Sequence, residues 1–416
     1  MQFSRDAIGI RAAYFGYLGA MGLVASYWPL FWQEGLGLIG SQIGIIFGVR
    51  TLLGTLSQPA LASWAERRSA TVVLLRVSTI IGAMGALAMT QMQTFWAVAL
   101  LWWAVAPPLA AAIPVLDATA VNAVGPAGYG RVRLWGSLGY GVVVGLAGLA
   151  FRDVEFARAG EISVWLASAC MLFAFGGTLL VRHRGSEASG SERVPSGVAS
   201  VRARWSLLIT SFRRDPSPQR ETSVRWTGPL VTFFAVNALH WAGVMVFNIY
   251  AGLHVEARGW SASLPGILVA VAIIAEVVAL AFAGNLLKPG RSVTWLLPCY
   301  AVTAIRWVAF VWAPSPEWLA AIQLLHALSF GLWAAACIDI LGRFGPANAR
   351  ATLQGWFSAC VLGAGGMIGS VAGGYLIDGL GTDAAFYAAA GADVLAVLAW
   401  LAFRTSWRRA EPAQAG

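Results

Sequence analysis

AVAIIAEVVALAFAG (residues 270–284), TAIRWVAFVW (303–312) and AIQLLHALSFGLW (321–333) each set one ionisable side chain, Glu276, Arg306 and His326, deep in an apolar run. A membrane-spanning helix needs roughly 20 apolar residues, and these runs are that long once their flanks are included. A charge at bilayer depth costs a few kcal/mol or more, so each must be paired, hydrated or used. With about 1.5 Å of rise per residue, the three lie roughly 12, 20 and 22 Å from the same side of the membrane, so they can meet across one cavity. Such a trio can handle protons. A carboxylate's hold on a proton changes as an Arg approaches or withdraws, and a His titrates near neutral pH. The alternative is a static buried ion pair that fixes helix packing.

The rest of the chain has the same character. Of its 416 residues 58% are hydrophobic and 11% charged, against about 25% charged in soluble proteins. The mean hydropathy is +0.69, and 20 Trp and 20 Phe supply aromatic anchors for headgroup depth. The net charge of +9 lies between apolar runs, not on a polar domain, so nucleic acid is not an expected partner. Cys170, Cys299, Cys337 and Cys360 lie inside apolar segments without metal or redox spacing. The polar start, Met1 to Arg11, precedes a run too long for a cleaved signal peptide.

Apolar runs predict twelve spans. Six lie near 12–33, 41–63, 71–91, 95–120, 131–151 and 162–181. Six more lie near 227–252, 262–284, 293–313, 317–341, 350–376 and 383–404. The fold class is an all-α polytopic membrane protein with two pseudo-symmetric six-helix bundles, 1–181 and 227–416, joined by 182–226. That joining stretch opens RHRGSEASGSERVPSG and holds nine Arg against four acids. It reads as a cytoplasmic linker, with Trp205 to Phe212 either a surface helix or a tether. Placing both termini in the cytoplasm puts 23 of the 28 Lys and Arg there, three outside (Arg152, Arg158, Arg258) and two within spans (Arg50, Arg306). The opposite orientation violates the positive-inside rule. Gly141-xxx-Gly145 on span 5 and Gly365-xxx-Gly369-xxx-Gly373 on span 11 suggest an internal repeat with close helix approach.

Further polar residues interrupt the spans. Asp117 and Arg133 flank the turn in PVLDATAVNAVGPAGYGRVRLWGSLGYG (114–141), where they are either a solute site or a solvated ion pair. Arg50 lies in span 2, and His240 in AVNALHWAGVMVFN (235–248) shares its helix with Asn237, Asn248 and Tyr250. Asp339, Asp378 and Asp393 lie nearer span ends or lack a clear partner, and read as structural.

YGRVRLWGSLGY (129–140), AEVVALAFAGNLL (275–287), IRW (305–307) and QLLHALSFGLWAA (323–335) resemble the 3-phenylpropionate transporter branch of the major facilitator superfamily, related to lactose permease and nucleoside–proton symporters. The resemblance runs from about residue 11 to 381, linker excepted. It implies two bundles around a cavity that opens alternately to either side and couples a small solute to proton flow. It further implies coupling roles for Glu276, Arg306 and His326, solute contacts for Asp117 and Arg133, and a matching span 7 histidine at His240. Two departures stand out. Ser329 occupies the place of a second carboxylate one turn after the span 10 His, and the loop 2–3 signature is degraded to ALASWAERRSA (60–70), leaving Glu66 and Arg67 as the gating-loop candidates.

The expected function is proton-coupled symport of a small organic solute, aromatic or otherwise carboxylic, with Arg133, Arg306 or Arg50 binding the carboxylate and Trp and Tyr packing its apolar part. Proton-driven export of a drug-like compound or metabolite is the alternative, and a membrane sensor a more distant one. No H-E-x-x-H, G-x-x-x-x-G-K-[ST] or G-x-S-x-G motif is present, so the chain does not read as an enzyme. No metal or cofactor is expected; the partners are solute, protons and the bilayer. The composition fits a bacterial inner membrane.

Overall fold

The computed structural model describes residues 5–182, 226–287, 291–344 and 350–410. The interior of the joining stretch, the candidate surface helix Trp205 to Phe212, Lys288 and the tail from 411 lie outside them. Twelve helical segments follow one another: α1 (Arg5–Gly35), α2 (Gly40–Arg67), α3 (Thr71–Met89), α4 (Phe95–Val124), α5 (Pro126–Ala150), α6 (Phe156–Leu180), α7 (Gly228–Ala257), α8 (Leu264–Leu286), α9 (Ser292–Val311), α10 (Pro316–Leu341), α11 (350–380) and α12 (Thr382–Ala410). Eleven are long and apolar enough over their described residues to cross a membrane, and α8 is apolar over Leu264–Leu280. Large side chains such as Leu56, Met84, Trp96, Leu146, Ile274 and Ile305 are exposed outward, as a lipid solvent permits.

The two sets of six pack alike. α1 lies against α5 and α6, α2 against α4, and α3 against α4 and α6; six helices later α7 lies against α11 and α12, α8 against α10, and α9 against α10 and α12. Between the sets, α2 packs on α11 and α5 on α8, which are equivalent pairs under the same approximate two-fold. Asp6 accepts the Arg182 N–H across 3.0 Å, so the N-terminus and the end of α6 share one side. Trp407 bonds to Thr232 at 3.0 Å, which puts the end of α12 and the start of α7 on one side as well. With an even number of crossings per set, these are the same face, here the terminal side.

The opposite face is sealed by glycines. A Cβ on Gly44 would run into the Ser370 carbonyl and one on Gly374 into the Gly40 carbonyl, so α2 and α11 touch backbone to backbone. At the equivalent seam, a Cβ on Gly148 would lie 2.7 Å from the Ser263 carbonyl. Asp378, at the end of α11, accepts the Gly40 and Ser41 N–H groups at 2.7 and 2.8 Å, capping the start of α2 from the other bundle. Tyr27 of α1 donates to the Ala262 carbonyl at 3.2 Å and accepts the Gly266 N–H at 3.0 Å, crossing the same boundary. The glycine seam between α5 and α8 runs from Gly148 to Gly141, facing Ser263 to Ile273. Beyond it Ser137, Tyr140 and Glu276 line a cavity. The molecule is closed on the far face, and the cavity lies to the terminal side of the seal. The turn from α4 to α5 is made by Gly125 alone, at φ +73°, a conformation that glycine adopts without a Cβ clash.

Leucine at position 374 cannot be accommodated in the α2–α11 contact. In Gly374→Leu the far-face seal is therefore expected to open and the terminal side to close. Spin labels at Gly130 and Trp356, in a background without the native cysteines, should report a shorter distance than in the otherwise wild-type chain.

Candidate functional site

The site is organised by Arg306, which is fully buried on α9. Its Nη1 donates to the Ser329 hydroxyl at 2.9 Å and lies 3.2 Å from His326 Nδ1; its Nη2 donates to Gln323 Oε1 at 2.5 Å. The guanidinium also lies over Phe247 and Trp307, 4.6 and 4.7 Å from the ring centres, contacts worth about 2 kcal/mol when desolvated. Nε has no hydrogen-bond partner.

The partners come from a stretch of α10 that is not regular helix. Gln323–Leu325 tightens to a 3₁₀ turn and Ala327–Leu332 widens to π turns. Such turns re-aim side chains and release carbonyls from the helical ladder. Here the turns present Gln323, His326 and Ser329 to Arg306, and the Ser329 carbonyl to His240. Gly331 leaves room for Glu276, whose Cγ would lie 3.3 Å from a Cβ there.

His326 connects Arg306 to Glu276. Because guanidinium only donates, His326 Nδ1 accepts from it, and the ring proton sits on Nε2, 3.7 Å from Glu276 Oε2. Glu276 and Arg306 do not touch in this structure: among the described residues no Arg306–carboxylate pair forms within 4.0 Å, and the imidazole stands between them. Glu276 and His326 line a cavity of about 230 Å³ with Arg133, Tyr140, Trp241, Phe247, Asn248 and Phe330. Phe330 stacks on His326 at 5.4 Å and 11°. A larger groove of about 510 Å³ follows the α5–α8 seam, but Ser137 is its sole side chain with a polar atom, so it offers no comparable chemistry.

On the first bundle, Arg133 reaches the cavity from α5, with Nε 3.6 Å from Asp117 Oδ1 and both side chains about one-third exposed. Tyr14 donates to the same carboxylate oxygen, and its ring lies under the Arg133 guanidinium at 5.3 Å. The pair thus faces the cavity with an aromatic support. Arg50 is held among α1, α2 and α4, over Trp102 at 5.0 Å and with Nη2 3.6 Å from the Met21 sulfur. Its Nε has no partner, and no carboxylate pairs with it among the described residues.

His240 has a different setting from the expected solute contact. It is fully buried behind α10, with Nδ1 2.6 Å from Asp393 Oδ1 and Nε2 3.0 Å from the Ser329 carbonyl, so neither nitrogen is left for a solute. Asp393, which reads from the sequence as a structural residue, is that partner. It is fully buried on α12 and accepts from Trp307 Nε1 at 2.9 Å as well. Its signal was depth: eleven residues after Thr382, it stands roughly 16 Å into its helix. Asn237, visible in the sequence only as a polar neighbour on the His240 helix, takes bonds at Oδ1 from Tyr300, Trp333 and Cys337 at 2.9, 2.7 and 3.2 Å. Asp339 pairs locally with Arg343 at 2.8 Å. Glu66 and Arg67 are exposed at the end of α2 and are not brought to the cavity.

Two six-helix bundles around a charged, aromatic-lined cavity define a membrane transporter. The chain belongs to the MFS_1 like family, whose model matches residues 7–388. It is 25% identical over 382 residues to the probable 3-phenylpropionic acid transporter of Escherichia coli (strain K12), covering 89% of this chain and 91% of that one. The maltose permease of Geobacillus stearothermophilus is 23% identical over 368 residues, covering 88% and 86%. The crystal structure of the nucleoside transporter NupG superposes with a TM-score of 0.75 at 14% identity, covering 97% of this chain and 99% of that one. The protein is therefore a multi-pass membrane transporter and not an enzyme.

Asn237→Leu strands three buried donors at once. It should destabilise the protein by about 2–4 kcal/mol, read as a lower thermal midpoint in detergent, whereas Thr90→Ala at an exposed turn should leave the midpoint unchanged.

Proposed function

We propose that the protein is a proton-coupled symporter of a small organic acid, with an aromatic carboxylate as the best-fitting solute. The observation that carries this reading is the continuous contact from cavity-facing Glu276 through His326 to buried Arg306. A proton on Glu276 changes the charge beside His326, and Arg306 lies on the other nitrogen of the same ring, so protonation and helix position are linked through one imidazole. The ring faces of Trp241, Phe247, Phe330 and Tyr140 suit an aromatic or apolar body. Arg133 supplies a planar fork for a carboxylate, and Arg50, without a carboxylate of its own, is the second anchor. The Escherichia coli relative's name supports the same solute class.

In this reading the termini and the stretch 182–226 are cytoplasmic, the membrane is the cell's inner membrane, and the structure represents the state open to the cytoplasm. The bundles 1–181 and 227–416 rock about the cavity, with Glu66 and Arg67 on the loop that meets the opposite bundle when the cytoplasmic side closes. Asp117 holds Arg133 in place until the solute carboxylate competes for it.

Two measurements test the reading, with 3-phenylpropionate as the first probe in proteoliposomes. Glu276→Gln should abolish uphill accumulation driven by a proton gradient while counterflow exchange persists; unchanged accumulation would remove Glu276 from coupling. Arg133→Lys should raise KM about tenfold or more through loss of the bidentate contact. An unchanged KM would place the carboxylate elsewhere.

A further inference from the structure

Behind the cavity wall, His240 and Asp393 form a contact whose geometry fixes how many protons it holds. The Ser329 carbonyl can only accept, so His240 Nε2, 3.0 Å away, carries a hydrogen. Nδ1 and Asp393 Oδ1 are 2.6 Å apart. A bare imidazole nitrogen and a bare carboxylate oxygen are both acceptors and repel at that distance, so a proton lies between them. Whether it is drawn as imidazolium with carboxylate or imidazole with carboxylic acid, the pair has no net charge.

The surroundings decide what that proton does. From α9, the pair is faced by Arg306, by Trp307, which donates to Asp393, and by Tyr300, whose ring is 5.3 Å from His240. From α10 come Ser329, Trp333 at 4.7 Å, and neutral His326 on the far side of Arg306. On α7 itself Asn237 Oδ1 accepts from Tyr300 and Trp333, and His254 Nδ1 lies 3.4 Å from Asp383 while its Nε2 has no hydrogen-bond partner. α11 packs on α7 through Gly365 and Gly369, and α12 through Ala389. Arg306 is thus the one fixed positive charge in this described cluster, and a compensating negative charge has two places to sit: Glu276 or Asp393.

We infer that the His240–Asp393 pair is a second proton site, set against Glu276 through Arg306. With Glu276 ionised, Arg306 is balanced and the pair keeps its proton. When Glu276 takes a proton from cavity water, the balance is restored if the pair gives its own proton up to solvent. That step leaves His240 neutral with hydrogen on Nε2 and Asp393 as the carboxylate that offsets Arg306. One positive charge buried at bilayer depth favours the states in which one of the two sites is empty. The inference builds on the reading of Glu276 as a proton carrier, but its test needs no solute and no transport.

The test is ¹⁵N NMR of the full chain labelled at its four histidines, with the His240 signals assigned by their absence in His240→Gln. In wild type, Nε2 should report N–H throughout and Nδ1 a bound or shared proton near neutral pH. In Glu276→Gln, which imitates the protonated carboxyl, Nδ1 should lose that proton at a pH lower by about one unit or more, a tenfold loss of proton affinity; Glu276→Ala serves if Gln impairs folding. In Asp393→Asn, Nδ1 should become a bare acceptor. A bare Nδ1 in wild type would overturn the proton site, and identical titration in wild type and both Glu276 variants would overturn its link to Glu276. Intact proton-driven accumulation in Glu276→Gln with the expected NMR shift would remove Glu276 from coupling and leave the paired sites standing.

Discussion

A guanidinium that cannot lose its charge, held in the core of a bundle that lies within a bilayer, is the constraint around which the second half of this protein is built. Arg306 needs neutral acceptors, aromatic faces and a counter-charge, and four helices contribute them. α10 departs from regular helix to offer Gln323, His326 and Ser329; α7 brings Phe247 and His240; α8 brings Glu276 within reach of His326; α12 brings Asp393 to the far side. No carboxylate among the described residues touches Arg306 directly. Its balance is therefore set through intermediaries, which can move, and not locked in an ion pair, which breaks only at a cost of several kcal/mol.

The first bundle lacks such a buried centre and serves a different purpose. Its charges are Arg133, which lines the cavity and pairs with Asp117, and Arg50, which lies over Trp102. The two halves meet through glycine backbones on the far face, with Asp378 capping a helix of the opposite bundle. Such contacts are close, and the Tyr27 side chain crosses the same boundary on two hydrogen bonds. They suit a seal that must separate and re-form, while the aromatic cavity lies between it and the terminal side.

Much of this was legible in the sequence because a bilayer makes few demands but strict ones. Every backbone group must be satisfied within its own helix, so the twelve spans stand out by length and apolarity, and most ends fall within a few residues of the observed ones. The ends that differ most extend past the apolar runs: α1 begins at Arg5, α6 begins at Phe156 and α12 runs on to Ala410, against runs near 12–33, 162–181 and 383–404. Glu276, Arg306 and His326 were visible as charges in apolar runs, and helix depth alone placed them near one another. Three things were not legible. Which nitrogen faces which group depends on the π turns of α10, whose sequence ALSFGL carries no breaker stronger than one glycine. Asp393 sits among alanines on a helix whose own sequence offers it no partner; α7 and α9 supply them as His240 and Trp307. Arg50 was legible as a charge within span 2, but nothing in the sequence sets it over Trp102 with its Nε left unpartnered.

The central claim is that solute movement through the cavity carries a proton with it. The most direct measurement is the pH change outside de-energised proteoliposomes when a panel of phenylalkanoic acids, other carboxylates, nucleosides and sugars is added to the wild-type protein, with radiolabelled uptake recorded in parallel. The account predicts alkalinisation in step with uptake for an aromatic carboxylate. Uptake of that solute with no proton movement would contradict it.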